Sequence, residues 1–480
     1  MRHSSPLSRH DATEPAMSDT TSPGARPAPA PEATRSTKDL TRAAVSGWLG
    51  TAMEFMDFAL YSLAAAIVFN QIFFPDSDPA VALVASMATY GVGYVARLAG
   101  AIYFGRKGDK IGRKKVLLIT IAMMGVSTTL IGVLPTYAMV GIWAPIMLVA
   151  LRLVQGFGAG AEIAGATVML AEYAPARRRG LISSLVSLGT NTGTLAATGI
   201  WAILLAVLTE EQLLSWGWRL PFLLSFVLLL LTLWMRRNLK ESPVFEERAD
   251  VVDGVALSKD EALAQAAAAG ESALEAGLKQ PKGRSFFLAL GLRLGQAGNS
   301  GLVQTFLVGY LATTLLVDRS IPTDALLIGS AFGFVTVPVV ALLGDRFGRR
   351  PLYTAFTIIT MIAAFPLMQL ITSGGKAQVI VGMALLLNLG VLALFSLESV
   401  TMAELFGSRT RFTQLALAKE IGGILTTAAG PVVAAGLTAA TGSWWPIAAM
   451  LVFYSAITLV ATRLAPETRG RDLVAVQDAA

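Results

Sequence analysis

The chain has 480 residues, 54% of them hydrophobic and only 15% charged, with a mean hydropathy of +0.61. That composition excludes an ordinary soluble domain and calls for a bilayer. The formal charge of +6 does not describe a nucleic-acid surface, because the Lys and Arg residues lie in short stretches at helix ends without interleaved aromatics. Cysteine is absent and the two histidines, His3 and His10, sit near the start. Disulfides and thiolate metal sites are therefore excluded, and proton handling inside the membrane falls to carboxylates.

Residues 1–40, with the run SPGARPAPAPEATRST, read as a disordered cytosolic tail with no signal peptide. About twelve apolar runs then follow, each approaching the roughly 20 residues that cross about 30 Å of hydrocarbon as helix. The first six fall at 43–69, 79–104, 116–135, 141–171, 181–207 and 219–236, within a half spanning 41–236. A polar linker, 237–284, contains EALAQAAAAGESALEAG and is expected to be partly helical. The second half, 285–465, carries runs at 285–316, 323–343, 352–372, 377–404, 412–440 and 445–464, and a short cytosolic tail, 466–480, follows.

One motif occurs twice. FGRKGDKIGRKK, Phe104 to Lys115, is echoed by GDRFGRRP, Gly344 to Pro351, so that Asp109 and Asp345 lie 236 residues apart (345 − 109). Each copy sits between the second and third runs of its half. Counting Lys and Arg loop by loop puts both copies and both termini on the cytoplasmic side of a plasma (inner) membrane. The fold expected is thus an all-α integral membrane protein made of two parallel six-helix repeats, a transporter architecture.

The two motifs resemble the loop signature of the major facilitator superfamily. Further stretches, AMEFMDFALY, ATYGVGYVARLAG, GIWAPIMLVALRLVQGFGAGAEIAGA, SWGWRLPF and AELFGSRTRFTQLALAKEIGG, resemble its metabolite:proton symporter family over nearly the whole chain from about Thr41 to Glu467. The resemblance implies twelve helices around a central cavity, a small organic acid or zwitterion such as 2-oxoglutarate, shikimate, citrate, proline or betaine as substrate, and protons as the driving ion. It also implies that Gly105, Asp109, Gly112 and Arg113, with Asp345, Arg346, Gly348 and Arg349, latch a cytoplasmic gate. Asp109 is placed to cap a helix of the other half near Thr413, and the glycines permit a tight turn and close backbone approach.

Ionisable residues inside spans are costly, so each is a candidate for function. At about 1.5 Å of rise per residue, Asp57 and Arg152 reach a similar depth and are expected to pair across the cavity. Glu54 lies one turn from Asp57 on the same face, with Arg97 and Glu162 at that deeper level. Arg97 and Arg152 are candidates to bind a substrate carboxylate through the planar guanidinium fork; the competing reading of Arg97 is a structural ion pair with Glu54 or Glu162. Asp57, Glu54 and Glu162 are the candidates for proton coupling. Asn299 and Gln304 are candidates to hydrogen-bond substrate, with helix packing as the alternative. Arg293, Glu398, Lys419 and Glu420 suggest a structural or gating network, and Glu172 and Glu404, which end the fourth and tenth runs beside Arg177–Arg179 and Arg409–Arg411, read as gate salt bridges.

GFGAGA, Gly156 to Ala161, fits a dinucleotide pattern but lies inside an apolar helix with no preceding strand. No phosphate-binding loop, nucleophile motif or metal spacing occurs, so the sequence reads as neither an enzyme nor a cofactor or metal protein. The function expected is import of a small carboxylate or zwitterion by proton symport through alternating access, by a monomer in contact with membrane lipid and not nucleic acid. A drug or metabolite:proton antiporter and a non-transporting membrane sensor are the alternatives.

Overall fold

The computed structural model describes residues 37–75, 79–246, 251–252, 255–257, 259–268, 283–318, 320–475 and 477–480. The reading of residues 1–40 as a tail lies outside these up to residue 36; residues 37–40 are helical rather than a disordered tail. With no water in hydrocarbon to satisfy backbone N–H and C=O groups, long apolar runs are forced into helix.

The first half comprises α1 (Thr37–Ala64, continued by a π-helical turn at Ala65–Phe69), α2 (Pro79–Ile111), α3 (Arg113–Gly132), α4 (Trp143–Ala159 and Glu162–Tyr173), α5 (Arg179–Val207) and α6 (Arg219–Arg237). The second comprises α7 (Arg284–Ser300, running through a π turn to Thr313), α8 (Ser320–Phe347), α9 (Arg349–Thr372), α10 (Lys376 to Leu405), α11 (Arg411 to Thr441) and α12 (Trp445–Leu464). Ten of these stretches are long and apolar enough to span a membrane by length and hydropathy, and the charged α2 and α7 complete the twelve-helix bundle. Large apolar side chains such as Val227, Trp234, Phe332, Ile362 and Phe453 are exposed on its outside, as a lipid-facing surface requires.

The motif turn is tighter than the sequence suggests. α2 runs straight through Gly105 and Gly108 to Ile111, and only Gly112 breaks it, at φ 97; Gly348 does the same between α8 and α9 at φ 103. Gly105 and Gly108 instead serve close approach. A Cβ on Gly105 would lie 2.9 Å from the Thr413 Cα, and one on Gly108 would enter the Phe412 ring. Small residues likewise bring α2 and α4 together, where Gly156 packs against the Gly93 carbonyl.

The linker contains more than helix. After a short helix, Pro243–Glu246, two-residue strands Val251–Val252 and Val255–Ala256 pair antiparallel, and a helix follows at Lys259–Ala268. The C-terminal segment is docked beneath the bundle at the motif end. Ser408 N–H donates to the Ala475 carbonyl (3.0 Å), Ala479 N–H to that of Leu405 (2.8 Å), and Leu473 is buried.

Candidate functional site

At the motif end, two latches join the halves, each made of the same parts. In the first, Asp109 at the end of α2 accepts from Phe412 N–H (3.2 Å), Thr413 N–H (2.9 Å) and the Thr413 hydroxyl (2.6 Å), capping α11. In the second, Asp345 at the end of α8 accepts from Gly180 N–H (2.8 Å) and Leu181 N–H (3.0 Å), capping α5. An acceptor on a helix N-terminus satisfies orphan donors and meets the positive end of the dipole.

A buried carboxylate completes each latch. Glu172, at the end of α4, receives Arg411 of the other half (2.6 Å) and the motif Arg113 (3.3 Å). Glu404, at the end of α10, receives Arg179 of the other half (3.2 Å) and the motif Arg349 (3.3 Å). The chain just past the sixth helix of each half supplies a hydroxyl to that carboxylate and a second carboxylate to the motif. Ser242 donates to Glu172 and Thr468 to Glu404 (2.9 Å). Glu241 accepts from Arg113 N–H (2.9 Å) and Glu467 from Arg349 N–H (2.9 Å), capping α3 and α9. Burial pushes the Glu241 carboxyl above its usual range, opposed by the N–H groups of Ser242, Lys114 and Arg113. Arg346 is exposed and touches the Phe347 ring at 5.2 Å.

Deeper in the bundle, Arg97 gives Nε (2.9 Å) and Nη2 (2.8 Å) to Glu420 on α11 and Nη1 (2.6 Å) to Glu54 on α1. The fork expected to receive a substrate carboxylate is thus filled by two of the protein's own, one from each half. Glu162 lies against Arg236 through both its oxygens, with Thr120 donating at 2.9 Å. Arg293 (3.3 Å) and Lys419 (2.9 Å) converge on Glu398; Glu420, expected in that group, has gone to Arg97.

Asp57 does not pair directly with Arg152. Its carboxylate accepts from Thr128 (2.8 Å) and Ser225 (3.0 Å). Thr128 in turn accepts from Gln155 (2.6 Å), whose carbonyl takes a hydrogen bond from Arg152. The Arg152 guanidinium lies 4.4 Å from the Phe58 ring centroid and 4.2 Å from that of Tyr61. A relay of neutral groups therefore connects a buried carboxylate to a buried cation. Asn299 spans α7, α10 and α12, donating to the Gly390 carbonyl and Ser455 hydroxyl at 3.2 Å each. Gln304 donates to Ser300 on its own helix (2.6 Å). No group of three or more His, Asp or Glu suited to a metal occurs among the described residues.

Residues 44–479 match the Sugar (and other) transporter family. The chain belongs to that family. It is a membrane transporter of the major facilitator superfamily, not an enzyme. YdfJ of Escherichia coli (strain K12) is 52% identical over 427 residues, covering 88% of this transporter and 96% of that protein. The shikimate transporter of the same organism is 34% identical over 423 residues, covering 88% and 93%. Among solved structures, that of XylE, a proton:xylose symporter, bound to 6-bromo-6-deoxy-D-glucose superposes with a TM-score of 0.74 at 17% identity, covering 92% of this chain and 99% of that one; the fold is shared.

Several residues of the transporter's site escape a reading of its sequence. Arg236, in the pair WMRRNL, looks like a topology-setting charge but is 1% exposed. Glu241-Ser242 and Glu467-Thr468 carried a usable signal, an acid-hydroxyl pair just past the sixth helix of each half, 226 residues apart (467 − 241). Gln155, Thr128 and Ser225 carried none, being ordinary polar residues in apolar runs.

Proposed function

We propose that this transporter imports a small organic acid or zwitterion together with protons, rocking its halves about a central site with the motif end facing the cytoplasm of an inner membrane. The observation that carries the reading is Asp57. It is fully buried, held by two hydroxyls, and has no ion pair among the described residues. A carboxylate at mid-membrane depth without a cation costs several kcal/mol unless it binds a proton. Arg152, one relay away, supplies the cationic fork for an anionic substrate group. An anion there draws Arg152 from Gln155, loosens Thr128 and leaves Asp57 with fewer donors, which favours its protonation. Relatives named as shikimate and proline/betaine transporters support a carboxylate-bearing substrate, and the Lys and Arg residues gathered at the motif end support the orientation.

The test is uptake into proteoliposomes of labelled shikimate, 2-oxoglutarate, citrate, proline and glycine betaine, with and without an inward proton gradient. The gradient is expected to drive accumulation of at least one. Asp57→Asn is expected to lower gradient-driven accumulation while leaving exchange of labelled for unlabelled substrate, and Arg152→Gln to abolish both. Gradient-independent uptake, or efflux as protons enter, overturns the reading.

A further inference from the structure

Building on the proton-coupled reading, we infer that Glu420 creates a second proton site that exists only while the motif end is closed, by bringing a second buried carboxylate onto the Arg97 guanidinium already held by Glu54. Arg97 is 6% exposed, Glu54 0% and Glu420 7%. One cation therefore faces two anions away from water. The guanidinium commits two donors to Glu420 and one to Glu54, and the Glu54 Oε2 is buried with no hydrogen-bond partner among the described residues. An uncompensated buried anion is costly. One proton on that oxygen leaves a guanidinium, one carboxylate and one carboxylic acid, which is locally neutral.

The surrounding charges do not supply the missing cation. Arg236 lies toward the motif end of Glu54 but is spent on Glu162. Lys419 and Arg293 carry one positive charge in excess, yet both are turned to Glu398 and the Phe395 ring. The Phe58 and Tyr94 rings flank the Arg97 guanidinium at 5.0 and 5.8 Å.

Opening the motif end removes the site. Glu420 is on α11 and Arg97 on α2, so parting the halves must break their two hydrogen bonds. Glu420 then leaves with α11, and water entering at the motif end solvates its carboxylate in place of the guanidinium. Arg97 gains two free donors for Glu54, whose acid O–H breaks, its proton passing to water entering at that end. The closed state holds one proton more than the open state: closing takes it onto Glu54 from water reaching the site from the opposite end, and opening returns it to water at the motif end.

The chain has no cysteine, so cysteines introduced at the exposed Lys107 on α2 and Arg350 on α9 take spin labels at those sites alone. Pulsed EPR distances across the motif end then give the closed fraction in lipid nanodiscs from pH 5 to 9, without substrate. A background of Asp57→Asn removes one other candidate carboxylate, and the third, Glu162, stays paired with Arg236 within the first half. The ratio of closed to open is expected to rise by up to about tenfold per unit of acidification, as linkage to one proton requires. Glu420→Gln and Glu54→Gln are each expected to flatten that slope. Because Glu54→Gln leaves the Arg97–Glu420 bridge in place, its flat profile is expected with the closed state still populated, and Glu420→Asp is expected to restore the slope. A pH-independent parent, or an unchanged slope in either Gln variant, overturns the inference. If the slope follows Glu420 while no gradient-driven uptake occurs, the proton site stands and the symport reading fails. If uptake is gradient-driven but the slope is absent, the reverse holds.

Discussion

The two latches share a plan but differ in how their charges are backed. In the second, Arg349 has two carboxylates within reach, Glu404 at 3.3 Å and Asp345 at 2.8 Å. In the first, Arg113 meets Glu172 at 3.3 Å but stands 3.8 Å from Asp109, whose oxygens are turned to the α11 N-terminus and the Thr413 hydroxyl. The first is also roofed by Phe245, with the Arg113 guanidinium 4.8 Å from its ring centroid. The C-terminal segment reaches both, Arg411 of the first donating to the Leu473 carbonyl and Arg179 of the second to that of Arg471, each at 2.8 Å. The motif Arg of the first latch has one close carboxylate where that of the second has two, so the first is the one expected to fail when a single partner is lost.

The largest separation between the two is expected at their central carboxylates. Glu172→Gln strands Arg113 and Arg411 in a buried setting and is expected to cost about 3–5 kcal/mol, read as a lowered melting temperature in detergent. Glu404→Gln is expected to cost less, since Asp345 still holds Arg349; equal losses would show that this redundancy carries no weight. Next comes the glycine before each motif Asp. Gly108→Ala drives a Cβ into the Phe412 ring, whereas Gly344→Ala meets the flexible end of Leu397 at 2.8 Å. The first is expected to cost about 1–3 kcal/mol and to part α2 from α11, while the second stays near the parent in both melting and uptake.

The positive-φ glycines sharpen the comparison from the other side. Gly112 and Gly348 share one backbone conformation, and each sits over a capping carboxylate, Glu241 or Glu467. Their replacement by Ala is expected to cost about 1–2 kcal/mol each, with matching shifts in melting; unequal shifts would mean that the duplication is only skin deep. A smaller loss is expected at Thr413→Val, which removes a donor that the second latch lacks. A loss of about 1 kcal/mol in the closed state brings the first latch down to the backbone-only capping of the second.

The halves, the span count and the repeated motif were legible because each rests on local chemistry: apolar length, clustered Lys and Arg, and a glycine at each motif turn. Which charge meets which was not. Arg97 and Glu420 are 323 residues apart in sequence, and no periodicity within α2 or α11 says that those two helices touch. Spacing alone placed Asp57 and Arg152 at one depth, but it does not register Thr128 and Gln155 interposed between them, because depth along two helices leaves their facing directions free. In the polar linker the start of the Ala-rich run is helical, at Lys259–Ala268, as its composition suggested, whereas Val251–Val252 and Val255–Ala256, too short for a strand signal, pair as strands.

The C-terminal segment and the latches divide the motif end into amides of two kinds. Ser408 and Ala479 N–H bond to acceptors within the second half and its own segment, so they stay shielded however the halves swing. Phe412, Thr413, Gly180 and Leu181 N–H bond to carboxylates on the opposite half and lose them each time the end opens. Under turnover, deuterium should enter those four amides first while the other two lag, so that hydrogen exchange counts openings of this transporter without any substrate having to be named.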